Sequence, residues 1–164
     1  QASQAVVNTL KRGGKLLTMG HGGSAADALH LSEELIGRFD RDRRPLPAIC
    51  LVADPTALTC IANDYGFARI FPRQVEALAQ PEDLLVIFST SGNGEGLTRS
   101  NAVAHQRGAK TLAILGKGGG ALAGQTDHQI IVQSDNTARI QEAHTLILHL
   151  ILETVERELA PREF

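Results

Sequence analysis

Three groups of side chains in this 164-residue chain have the types and spacings that proton transfer and phosphate binding require. His30 and Glu34 lie four apart, so on a helix they share one face, a turn from each other. An imidazole and a carboxylate placed in this way can hold a divalent metal, and they equally form an ordinary surface hydrogen bond. Gln141, Thr145 and His149 repeat at the same interval farther along, and this polar ridge makes His149 the histidine of that segment best suited to chemistry. His144 falls among Ile140, Ile147 and Ile151 instead and reads as a core histidine, while His105 and His128 read as exposed and without partners. The third group is a pair of glycine-bearing runs, Gly20-His21-Gly22-Gly23-Ser24 and Ser89-Thr90-Ser91-Gly92-Asn93-Gly94. The first permits a tight turn in which His21 can meet a substrate and Ser24 can cap the following helix. The second offers consecutive hydroxyls and glycine N–H groups, which suit a phosphate monoester where no lysine supplies a point charge. Either run alone is also an ordinary turn rich in helix-capping residues; both together favour a small phosphorylated ligand.

These residues need a frame. Short apolar runs bounded by glycine alternate with longer amphipathic stretches, the order of β-α-β units around a parallel sheet in an α/β protein. The strands are expected at Lys15–Met19, Ala48–Val52, Leu84–Ser89, Thr111–Leu115 and Gln129–Val132, mostly apolar because parallel strands are covered on both faces. Helices are expected at Gln1–Leu10, Ser24–Gly37, Leu58–Asn63, Ile70–Leu78, Leu97–Arg107 and Thr137–Leu159, with a glycine-rich turn and short helix after the fourth strand. In such a sheet ligands sit beyond the carboxyl ends of the strands, where both glycine-bearing runs fall. One domain over residues 1–164 is expected, without repeats or linkers.

Composition removes several classes of function. Sixteen basic against eighteen acidic residues give a net charge of −2, which lacks the surplus a nucleic-acid binder uses to neutralise phosphates. The run from Arg38 to Arg44 interleaves Asp40 and Asp42 and reads as a solvated loop. Cys50 and Cys60 form no C-x-x-C pair, so they read as two buried thiols in a reducing compartment rather than a disulfide framework or zinc ribbon. Aromatic residues are only 4%, leaving little for base or sugar stacking. No G-x-x-x-x-G-K-[ST] string is present, which argues against nucleotide hydrolysis. No membrane-length apolar stretch or signal pattern occurs, and a cytoplasmic protein without membrane partners is expected.

With these residues in view, the chain resembles the sugar isomerase (SIS) domain family and, within it, the phosphoheptose isomerases. The resemblance rests on Gly20-His21-Gly22-Gly23-Ser24-Ala25-Ala26-Asp27, His30 with Glu33-Glu34, Ala62-Asn63-Asp64-Tyr65-Gly66, Ser89-Thr90-Ser91-Gly92-Asn93 and Arg139-Ile140-Gln141-Glu142. It implies a three-layer, flavodoxin-like, five-stranded parallel sheet and a homotetramer. It implies conversion of sedoheptulose 7-phosphate to D-glycero-D-manno-heptose 7-phosphate, the first step toward nucleotide-activated heptose precursors, with a divalent metal, usually zinc. The metal ligands would be His30, Glu34, Gln141 and His149. Ser89, Thr90 and Ser91 would hold the phosphate, and His21, Gly22, Gly23, Ser24, Asn63, Asp64 and Gln141 would line the sugar. Glu34 would move a proton between C1 and C2, and His149 would handle the oxygen protons. Such residue types suit the reaction, which needs a base beside two adjacent carbons, an electrophile and a proton carrier between oxygens.

The chain departs from the family's pattern at His21, commonly Asn, at Gly94, commonly Ser, and at Ala138, which is Asp in some members; the family's long N-terminal helix is mostly missing before Gly13. The rival reading is a non-catalytic protein of the DiaA type, which resembles this chain but binds the replication initiator DnaA. That class tends to lack the carboxylate and final histidine kept here as Glu34 and His149, which favours the enzyme. A phosphosugar-sensing module is a third reading, though such regulators usually carry a DNA-binding domain and none is seen. Assembly bears on the site. Gln141 and His149 are eight residues apart, about 12 Å along one helix, and metal–ligand bonds are near 2 Å. Either only one of them touches the metal, or neighbouring subunits contribute different ligands, with Glu34 and His149 drawn from different chains. Active sites at subunit interfaces are the expectation that follows.

Overall fold

The computed structural model describes residues 1–160. Its five strands are β1 (Leu16–Met19), β2 (Ala48–Cys50), β3 (Leu84–Ser89), β4 (Lys110–Leu115) and β5 (His128–Ile131). They form one sheet in the order β2-β1-β3-β4-β5, and every neighbouring pair is parallel. Because strand side chains alternate between faces, each run divides its residues between two cores. Leu16, Leu84, Val86, Phe88, Leu112 and Ile114 pack against α1 (Ala2–Lys11), α2 (Gly23–Ile36) and α6 (Thr137–Leu159). Leu17, Met19, Leu85, Ile87, Ala113 and Leu115 pack on the opposite layer, with α4 (Ile70–Leu78) and α5 (Glu95–Gln106). The expected three-layer α-β-α architecture is the one observed. No helix among the described residues is long and apolar enough to cross a membrane.

The chain leaves β1 toward β2 on one side and returns to β3 on the other, so the order reverses between β1 and β3. Loops from adjacent strands diverge there and open the crevice in which α/β proteins bind ligands. The glycine run after β1 and the hydroxyl run after β3 both lie at this reversal.

Several boundaries differ from expectation for readable reasons. α3 spans Pro55–Tyr65, starting before Leu58, because the Asp54 carboxylate caps it by accepting the N–H groups of Thr56 at 2.9 Å and Ala57 at 3.1 Å, with proline at the first position. None of the eleven residues of α3 is buried. α5 begins at Glu95 rather than Leu97. The segment after β4 is a 3-10 stretch, Lys117–Leu122, interrupted by left-handed glycines. Arg43 is buried within the loop read as solvated, since its guanidinium is consumed by partners inside the protein. Cys60 is exposed on α3, whereas Cys50 is buried.

Candidate active site

β3 ends in Ser89, whose hydroxyl accepts the Gly92 N–H at 2.9 Å and folds the chain back over Thr90 and Ser91. Gly92 is in the left-handed region, and a Cβ there would run into the Gly119 carbonyl, so this turn needs glycine. The Asn93 side chain accepts the Ala121 N–H at 3.0 Å and fastens the loop to the turn after β4. No side chain caps α5 at Gly94, and with the Leu97 N–H bonded to the Gly94 carbonyl the Glu95 and Gly96 N–H groups are the ones available to an anion. These groups border a cleft of about 160 Å³ lined by His21, Ser24, Ser89, Thr90, Ser91 and Gly94. Ser24 is the second residue of α2 and lines this cleft instead of capping the helix, whose cap position is Gly22.

His21 packs its ring on Phe67, centroids 5.0 Å apart, and on Phe71 at 4.8 Å. Burial lowers its pKa from the usual histidine value, so it is neutral near pH 7. Neither aromatic contact was legible from spacing alone. A Cβ on Gly94 would lie 3.9 Å from His21 Cδ2. Two of the three positions that depart from the family's pattern therefore adjoin, a larger ring on one side and a missing side chain on the other.

The His30–Glu34 face forms as expected on α2, with Nε2 3.4 Å from Glu34 Oε1. Glu33 also offers an oxygen to this group, all three donor atoms lying within 4.8 Å of one another. The His149 ring meets the His30 ring edge-on at 5.1 Å and packs on Phe39 at 5.4 Å. Within one chain His149 thus stands beside His30, and His30 beside Glu34. Half-buried imidazoles beside carboxylate oxygens are the donor set that zinc and similar divalent ions take, so the residues present fit such an ion.

Gln141 is not part of that cluster. Its amide lies against Gly23 at the start of α2, where a Cβ would overlap its Nε2. Gly23 and Glu34 are eleven residues apart on α2, a rise of about 16 Å. The phosphate-type cleft and the His30–Glu34–His149 cluster thus stand at opposite ends of one helix. Asn63 and Asp64 sit exposed on α3, bonded to each other at 2.8 Å, and no contact joins them to the cleft.

Asp27, which the sequence places in the Gly20–Asp27 motif without a role of its own, has an unusual setting. It is buried between α2 and α6, its Oδ1 accepts the Thr145 hydroxyl at 3.1 Å, and Oδ2 has no hydrogen-bond partner. Burial raises its pKa against the opposing effects of Thr145, His144 and His30. His144 is the core histidine expected, fully buried, with Nε2 3.2 Å from the Leu115 carbonyl and a pKa lowered by burial. His105 does have partners, Asp127 at 3.0 Å and Thr111 at 3.1 Å, contrary to the sequence reading. The signal that could have found Asp27 was its place in the glycine run's own continuation, Ser24-Ala25-Ala26-Asp27.

Comparison with known proteins adds three findings. The family model described as SIS domain matches residues 1–116. The phosphoheptose isomerase of Citrifermentans bemidjiense is 51% identical over 158 residues, covering 96% of this chain and 82% of that protein. The solved phosphoheptose isomerase structures from Francisella tularensis and Neisseria gonorrhoeae superpose with TM-scores of 0.92 and 0.89 at 39% and 38% identity, each covering 95% of this chain and 83% of the other.

Proposed function

The chain belongs to the SIS domain family and, within it, to the phosphoheptose isomerases, and from this premise we propose that it interconverts sedoheptulose 7-phosphate and D-glycero-D-manno-heptose 7-phosphate. The observation that carries the reading is the meeting of His30, Glu34 and His149 in one chain whose β3 loop is built for a phosphate. The Ser89-Thr90-Ser91 hydroxyls and the uncapped start of α5 take the phosphate, and neutral His21, with the Gly22-Gly23 turn, Ser24 and Gln141, borders the sugar. The Glu34 carboxylate accepts a proton from one of the two adjacent carbons and returns it to the other. His149 passes a proton between the two oxygens, and its ring is held between His30 and Phe39 for that task. A divalent ion, zinc by its donor set, would be held by His30, Glu34 and His149 and would polarise the carbonyl.

We read residues 1–164 as one SIS domain acting in the cytoplasm, in keeping with two free cysteines. We further propose a homotetramer with active sites at subunit interfaces. The separation of cleft and cluster along α2 supports this, and so do exposed Leu29 and Ile36 on α2 and Leu146 and Leu150 on α6, an apolar surface for a second copy. Asn63 and Asp64 would reach the sugar in that assembly. An isomerase assay over C5 to C7 ketose and aldose phosphates tests the function. Turnover confined to the seven-carbon pair is the expected result, and no turnover of any of them overturns it.

A further inference from the structure

The loop between α2 and β2 holds a buried ion pair outside the residues given roles above. Glu156 lies seven residues beyond His149 on α6, and its side chain and that of Arg43 are 3% and 1% exposed. Glu156 Oε1 accepts the Phe39 N–H at 3.1 Å and Arg43 Nε at 3.1 Å. Oε2 accepts the N–H groups of Asp40 at 3.0 Å and Arg41 at 2.9 Å. A carboxylate with four such donors is satisfied in spite of its burial. Burial works to raise its pKa, but the loop N–H groups and Arg43 outweigh that and hold it below the ordinary range.

Both halves of the cluster depend on this carboxylate. On one side, Arg43 donates through Nη2 to the Glu34 carbonyl at 2.6 Å and through Nη1 to the Leu35 carbonyl at 2.9 Å. These carbonyls belong to the last turn of α2, where helical partners run out and a cation is favoured; the Leu35 carbonyl also accepts the Leu46 N–H at 2.9 Å. On the other side, the Glu156 bond to the Phe39 N–H sets the ring that packs on His149, opposite His30. We propose that Glu156 is a positioning residue which, through Arg43 and Phe39, fixes Glu34 and His149 relative to each other. The inference rests on the role proposed above for those two residues.

The test uses the full chain and two variants, Glu156→Gln and Phe39→Leu, with folding checked by circular dichroism. In Glu156→Gln an amide NH₂ replaces an acceptor that faced N–H donors. Residues that orient metal ligands cost roughly 10- to 100-fold in metal affinity or activity when changed. In competition with a chromophoric chelator, Zn²⁺ affinity is expected to fall about tenfold, with kcat for sedoheptulose 7-phosphate falling about as much. KM should stay within about twofold, because none of the hydrogen bonds of Glu156 and Arg43 goes to the phosphate loop after β3. Phe39→Leu, which leaves the ion pair intact, should move the same two quantities in the same direction, and it decides the matter if Glu156→Gln does not fold. Unchanged Zn²⁺ affinity and kcat in the folded variants overturns the positioning role, even if melting temperature drops. If the unaltered protein turns over no sugar phosphate, the proposed function fails instead, and Zn²⁺ affinity alone still decides the role of Glu156.

Discussion

Gly23→Ala separates folding from catalysis. Gly23 opens α2, and an added Cβ would lie 2.8 Å from Gln141 Cδ and 3.2 Å from its Oε1, closer still to Nε2. The obstacle is the end of a flexible side chain, so Gln141 turns aside while the helices stay in place. An off-rotamer side chain costs about 0.5–1.5 kcal/mol, and replacing glycine by alanine returns about 0.4–1 kcal/mol by restricting the unfolded chain. The two nearly cancel, and the net change in folding free energy stays below about 1 kcal/mol, or about 4 °C in Tm for a chain of this size. Catalysis has no such compensation. Moving a substrate-facing amide by an ångström or so costs about 10- to 100-fold in kcat/KM. Thermal melts and steady-state isomerisation on the same preparation measure both effects. Unchanged kcat/KM would refute a working role for Gln141 at this place, and a Tm drop beyond about 8 °C would show that the helices yield instead of the amide.

Other perturbations address the remaining parts. Glu34→Gln should lower turnover by about 10²- to 10⁴-fold while phosphosugar binding, measured by calorimetry, stays within about tenfold. Mixed oligomers of Glu34→Gln and His149→Gln should stay inactive, since both residues adjoin His30 within one chain; restored activity would place them in different subunits. Ser91→Ala should act on KM, raising it about tenfold for the loss of one charge-assisted hydrogen bond of about 1.5 kcal/mol, and a KM that does not move would locate the phosphate elsewhere. Asp127 accepts from Lys110 at 2.7 Å and Thr111 N–H at 3.0 Å, and with His105 these outweigh burial and hold its carboxyl well below the usual range. A depressed pKa stabilises the fold above the unfolded value of about 4 and is lost as pH falls below it. Asp127→Asn should therefore lower Tm at pH 7, and the gap from the unaltered chain should shrink as pH drops below about 4.

The strands were legible because burial on both faces leaves an unbroken apolar run, as in Leu84–Ser89, where every residue is buried. The helical face of His30 and Glu34 was legible because both residues fall within one turn. What joins distant segments was not. Arg43 and Glu156 are 113 positions apart, and periodicity carries no information about a partner at that range; charge alternation alone made the loop look solvated. The stack of His21 on Phe67 and Phe71 depends on how α3 and α4 lie over the sheet, and Asp27 was hidden because a carboxylate in a small-residue run resembles an exposed one. Helix rise separates Gln141 from His149, and within one chain α2 gives each a different neighbour, Gly23 for Gln141 and His30 for His149.

The contrast between α3 and β3 has a kinetic consequence. β3 is buried along its whole length, while α3 is capped by Asp54, rests on the core only through half-buried Leu58, Ile61 and Ala62, and has no fully buried residue. Local opening of α3 therefore costs a small part of the free energy of global unfolding. Its amide protons exchange with solvent deuterium long before those of β3, and the two populations separate in one time course. Asn63 and Asp64 ride on the fast-exchanging segment, whereas Ser89 belongs to the slow one. The polar groups on α3 can thus shift position on a timescale of their own while the loop after β3 keeps its shape.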